Sequence, residues 1–127
     1  MIQTFAAIAA GGAMGAMLRH GANMAAVKLL GHGFPYGTLF VNITGSAVMG
    51  ALVVVLAHYF SPPEFMRAFL ITGLLGAFTT FSTFSLDFAT LFERGNYVSA
   101  ALYVGISVII SIIALFAAMA AARSFIS

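Results

Sequence analysis

Four long apolar stretches, each cut short by a few residues of glycine, proline or charge, take up almost all of this 127-residue chain. Water is a poor solvent for such a pattern. With 62% hydrophobic and 6% charged residues, the five Lys/Arg and three Asp/Glu side chains cannot cover a globule with a wettable surface. The lipid bilayer is therefore the expected surrounding. A helix needs about 20 apolar residues to cross the hydrocarbon core, so the chain reads as an all-α integral membrane protein with one domain, residues 1–127. Its spans are expected at 4–30, 37–60, 64–92 and 97–122. That leaves no room for a separate catalytic or nucleic-acid-binding domain. The formal charge of +2 rests on too few groups to form a basic patch, so no nucleic-acid partner is expected. Cysteine is absent, which excludes disulfides and thiolate chemistry. The N-terminal apolar run continues past the length of a cleavable leader and reads as the first span.

Gly31-His32-Gly33-Phe34-Pro35, Ser61-Pro62-Pro63 and Glu93-Arg94-Gly95-Asn96 form the connections, all rich in helix-ending residues. Loops this short make neighbouring helices antiparallel. The third stretch is anomalous, because roughly 28 helical residues would run about 42 Å across a core of about 30 Å. Its middle reads Gly73-Leu74-Leu75-Gly76-Ala77-Phe78-Thr79-Thr80-Phe81-Ser82-Thr83-Phe84-Ser85, with glycines followed by hydroxyl residues near the midplane. Such a segment is poor helix material. A break is expected there, the alternative being an intact, tilted helix whose hydroxyls bond back to its own backbone. In membranes the backbone groups a break frees are tolerated only inside protein or along a cavity, where ions are held.

Polar residues elsewhere fall at helical intervals. Ser99, Tyr103, Ser107 and Ser111 recur every four residues along the fourth stretch, and Thr38, Asn42 and Ser46 do so along the second. Each set lies on one slowly drifting stripe. Hydroxyls in membrane helices often bond back to the preceding turn, but the amide of Asn42 cannot be satisfied by its own helix and needs a partner, water or a ligand. Phe78, Phe81, Phe84 and Phe88 form an aromatic stripe whose ring edges can face an anion without trapping it. Small pairs at Gly11/Gly15, Gly12/Ala16, Ser46/Gly50 and Gly76/Thr80 indicate close helix packing. Arg19 is the one charge deep within a span, where it must reach water, carbonyls or an anion. Asp87 and Glu93, near the end of the third stretch, are expected to face water, and His20, His32 and His58 lack metal-ligand spacing.

With four spans the two termini and the second loop share one side of the membrane. Arg67 and Arg123 stand on that side, and Lys28 and Arg94 on the other. This balance sets no orientation, so both should insert. Two oppositely inserted copies can then pair as an antiparallel, dual-topology homodimer, forming from two chains the inverted repeat that larger transporters carry in one.

Three segments carry a resemblance across the whole chain: Gly11-Gly12-Ala13-Met14-Gly15-Ala16-Met17-Leu18-Arg19, Gly37-Thr38-Leu39-Phe40-Val41-Asn42-Ile43-Thr44-Gly45-Ser46, and the third-stretch segment 73–85 quoted above. In these the chain resembles the Fluc (CrcB) fluoride channels, departing where His20 follows the arginine in place of the family's frequent tyrosine. The resemblance implies a fluoride-selective channel of the bacterial inner membrane, not an enzyme, which exports the ion passively and reduces its toxicity. It implies a dual-topology homodimer with two fluoride pathways and a central structural Na⁺ on the main-chain carbonyls of Gly76 and Thr79. Asn42, Phe81 and Phe84 would line the fluoride path, with Tyr103, Ser107, Ser111 and Thr38 beside it, and Arg19 would help to admit the anion. A proton-coupled exporter like the small multidrug resistance proteins shares the length and span count but needs a glutamate in the first span, and none stands there. A helix-bundle subunit without transport activity would leave Asn42, Arg19 and the midplane break without a purpose.

Overall fold

The computed structural model describes residues 1–58 and 62–126, in which no strand occurs. The last two residues expected in the second span, 59 and 60, and Ser61 of the following loop lie outside the described residues. The described residues form four helical rods. Helix α1 runs over Ile2–Leu30 and α2 over Tyr36–His58. The third rod begins with α3, Glu64–Arg67, widens into a π-helical stretch at Ala68–Leu75, and closes its first half with the short α4, Gly76–Phe78. After a non-helical step it resumes as α5, Ser82–Glu93, and α6 spans Tyr97–Ile126. The last helix thus runs four residues beyond its expected end at 122.

The rods at 36–58, 64–93 and 97–126 are each long and apolar enough to cross a membrane. Helix α1 is 29 residues long, but Gln3, Arg19, His20, Asn23 and Lys28 dilute its apolar sequence. Gly31 and Gly95 end α1 and α5 with φ of 84° and 82°, the left-handed conformation that glycine adopts without a Cβ penalty.

Helix α6 lies along α2, and α1 lies along the first half of the third rod. Glycine decides the second contact. A Cβ on Gly15 would collide with the Leu74 carbonyl and stand 3.0 Å from the Phe78 amide, and one on Gly11 would collide with the Phe69 carbonyl. The backbones touch because neither residue has a side chain. Gly12, by contrast, faces nothing within 4 Å, so of the two small pairs in α1 only Gly11/Gly15 lies in this contact. The enclosed core is small and aromatic, with Phe84, Leu91, Ala100 and Tyr103 buried together against Phe34, Leu39, Phe88 and Val104. Large apolar side chains elsewhere point outward, among them Ile109, Ile112, Ile113 and Phe116 of α6, each more than half exposed, as a lipid-facing surface requires.

Candidate functional site

The third rod breaks where glycine and threonine replaced the helix formers. Thr79 swings into an extended conformation with φ −87° and ψ 160°, and the chain is non-helical until Ser82. Three neighbouring side chains take up the backbone groups released there. Asn42 of α2 accepts the Thr80 N–H at Oδ1, 2.8 Å, and donates from Nδ2 to the Thr80 carbonyl at 3.0 Å. Thr80 in turn accepts the Thr83 N–H at Oγ1, 3.3 Å, which caps the start of α5. Arg19 of α1 donates from Nε to the Ala77 carbonyl at 3.0 Å, so the buried part of its guanidinium is held at the end of the first half-rod.

These diversions leave particular carbonyls behind. In an uninterrupted helix the Gly76 carbonyl would accept from Thr80 N–H and the Thr79 carbonyl from Thr83 N–H. Both donors are committed elsewhere, to Asn42 and to the Thr80 hydroxyl. Gly76 and Thr79 therefore present main-chain oxygens without their helical partners, in a chain whose described residues gather no three His, Cys, Asp or Glu side chains that could hold a metal. Main-chain oxygens are donors of the kind a hard cation takes.

Beside the break lies a cavity of about 380 Å³, lined among others by Asn42, Thr80, Phe81, Phe84, Ser107 and Ser111. Phe81 and Phe84 are neighbours, with ring centroids 5.5 Å apart. Thr44, Thr79, Ser85 and Thr90 all donate to the carbonyl four residues earlier, at 2.6 to 3.1 Å. Ser107 and Ser111 do not. Their Oγ atoms are buried and have no protein partner, and leaving a buried hydroxyl unpaired is costly. These two hydroxyls lie one helical turn apart on residues that line the cavity.

A second cavity of about 260 Å³ opens among the loop that joins α1 to α2 and the end of α5, where Asn23, His32, Thr38, Asp87 and Arg94 line it. Between the two stands an aromatic group. The Tyr103 side chain is fully buried, 5.2 Å from the Phe84 ring and 5.5 Å, edge-on, from Phe34. Its hydroxyl donates to Asp87 Oδ2 at 3.0 Å. Asp87 is thus half-buried: it lines the open cavity at the end of the third rod and also accepts from Tyr103, which α6 carries across to it.

Of the residues singled out from sequence, Asn42, Phe81, Phe84, Ser107 and Ser111 line one cavity, with Thr79 beside them. Thr38 is buried and belongs to the other cavity, and Tyr103 lies in the wall between them. The aromatic stripe divides: Phe78 packs against Gly45, and Phe88 stacks on Phe92 at 6.0 Å. Thr80 and Asp87 were missed as site residues.

The fold and site define a multi-pass membrane protein with a broken helix and, beside the break, a mostly apolar, Phe-walled cavity that carries a few polar groups. Residues 6–119 match the family described as "CrcB-like protein, Camphor Resistance (CrcB)", and the chain belongs to that family. Among its relatives, proteins of Cereibacter sphaeroides and a Ruegeria species are 50% and 49% identical to it, each alignment covering all of both chains. One from Mesorhizobium japonicum is 49% identical over 92% of this chain and 94% of its own. Each of these relatives carries the name "Fluoride-specific ion channel FluC".

Proposed function

We propose that the chain is a fluoride-selective channel of the bacterial cytoplasmic membrane, working as a dual-topology antiparallel homodimer of four-span subunits with a structural Na⁺ between them. The observation that carries this reading is the pair of buried, unpartnered hydroxyls of Ser107 and Ser111, on residues that line the same cavity as Asn42, Phe81 and Phe84. Fluoride is small and holds its water tightly, so a path for it must replace that water with donors. Hydroxyls already bonded to their own helix serve poorly, whereas two that are free to rotate serve well. The Phe rings give the path a dry wall, and their edges tolerate an anion. Tyr103 and Thr38 continue the line towards the second cavity, and Arg19 adds a positive charge beside the break that helps to admit the anion.

The homodimer is supported by what one chain leaves open. Phe81 is 77% exposed although it lines the cavity, and Gly76 is exposed next to its unpartnered carbonyl. A second, inverted copy would cover both and bring two further carbonyls to the same point. Gly76 and Thr79 oxygens from two chains form a set suited to Na⁺ with no carboxylate buried in lipid. The balance of Arg67 and Arg123 against Lys28 and Arg94 permits both insertions.

Liposomes holding equal fluoride and chloride test the function. The reconstituted protein is expected to release fluoride within seconds and retain chloride. Release of both ions together contradicts the selective path.

A further inference from the structure

We infer that Asn42 is a positioning residue: its carboxamide, gripping Thr80 at both backbone groups, holds the break open so that the Gly76 and Thr79 carbonyls stay free for the cation. The inference rests on the reading of the break as a cation site and deepens it, because it makes one side chain serve both the anion cavity and the cation's ligands.

The geometry is a two-point clamp. Oδ1 takes the Thr80 N–H and Nδ2 gives a hydrogen to the Thr80 carbonyl, so the side-chain amide does for Thr80 what a neighbouring strand does for a residue in a ladder. Each bond has a consequence one turn away. The first removes the donor that would close the helix onto Gly76. Held in this conformation, Thr80 turns its Oγ1 to the Thr83 N–H, which removes the donor that would close the helix onto Thr79. Both proposed Na⁺ ligands are thus unpaired by a residue on another helix 38 positions away in sequence. Asn42 reaches this spot because Gly45, one turn on, has no side chain and lets Thr79 and Phe78 press against α2.

An amide is needed, since the clamp uses one acceptor and one donor at fixed spacing. In Asn42→Asp an ionised carboxylate keeps the acceptor but sets negative oxygen against the Thr80 carbonyl, and Asn42→Ala removes both contacts. If Asn42 served the anion alone, an isosteric aspartate would spare the cation site and harm only the anion path. The clamp predicts otherwise.

The experiment uses full-length protein in lipid nanodiscs with three readouts: amide hydrogen exchange over residues 79–84, the Na⁺ concentration that half-restores thermal stability against N-methylglucamine, and fluoride flux in liposomes. In Asn42→Asp and Asn42→Ala the Na⁺ midpoint is expected to rise at least tenfold, and exchange at Thr80 and Thr83 is expected to depart from wild type as these amides change partners. Ser111→Ala lowers flux and leaves the other two at wild-type values. A side chain that merely supported the fold would lower stability equally in both salts and leave the Na⁺ midpoint where it was. The inference is overturned if the Asn42 variants lose flux but keep wild-type exchange at Thr80 and the wild-type midpoint. Should both Asn42 variants fail to fold, Thr80→Val removes only the Oγ1 acceptor: a raised Na⁺ midpoint supports the relay through Thr80 and an unchanged one overturns it. A wild-type protein whose stability ignores Na⁺ overturns the cation reading alone, and exchange at Thr80 still decides the clamp.

Discussion

The broken third rod and the unbroken α6 both carry polar atoms amid apolar sequence, and they dispose of them in opposite ways. At the break the backbone loses its helical bonds, and Asn42, Arg19 and the Thr80 hydroxyl take up the groups it frees. In α6 the backbone stays regular and two side chains, Ser107 and Ser111, are left without partners. The first arrangement is rigid and specific. The second keeps donors in reserve. A membrane protein can afford either only inside protein or along a cavity, and here the two face each other across one cavity. Backbone oxygens fixed in place suit a resident ion, and hydroxyls free to turn suit an ion that passes.

The largest effect is expected from denying the chain the inverted second copy proposed for it. Several lysines added to one terminus should lock the orientation, and that variant alone should lose essentially all fluoride flux, while a mixture with the oppositely locked variant recovers it. Full conduction by one locked variant would leave the antiparallel pair without support.

A smaller effect separates the reserve hydroxyls from the satisfied ones. Ser107→Ala and Ser111→Ala should each slow fluoride efflux about tenfold, or ~1.4 kcal/mol of barrier. Thr44→Ala and Thr90→Ala, whose hydroxyls bond to their own helices, should stay within about twofold. Equal losses across the four in the same efflux assay would erase the distinction between the two kinds of hydroxyl.

The smallest effect is on stability alone. Gly15→Ala places a Cβ on the Leu74 carbonyl beneath the break and should cost about 1–3 kcal/mol of unfolding stability in detergent. Gly12→Ala, with open space before it, should cost under about 0.5 kcal/mol. If the two are indistinguishable in a steric-trapping or denaturant assay, the close approach of α1 to the third rod is not what positions the break.

Much of this was legible in the sequence, and the misses have physical reasons. The break was readable because roughly 28 helical residues do not fit upright across a core of about 30 Å and because glycines and threonines cluster at their middle. The serine stripe was readable from its four-residue interval. Which of its hydroxyls would bond back to the helix was not, since that turns on side-chain rotation and packing. Asn42 announced its need of a partner, but nothing in a linear pattern names Thr80. The partner of Asp87 was hidden for a related reason: its position near a helix end suggested water alone, whereas Tyr103 approaches it from a different helix. The π-helical stretch at Ala68–Leu75 carried no sequence signal, and it falls where the third rod lies against Gly11 and Gly15.

The measurement closest to the central claim is the reversal potential of current through the reconstituted protein in a planar bilayer, with a fluoride gradient, symmetric chloride and an independently varied pH gradient. A passive path lined by Asn42, Ser107 and Ser111 predicts a current that reverses at the potential set by the fluoride gradient, whatever the pH difference. A reversal that shifts with chloride or with the pH gradient, or fluoride movement that stops without a proton gradient, would contradict it.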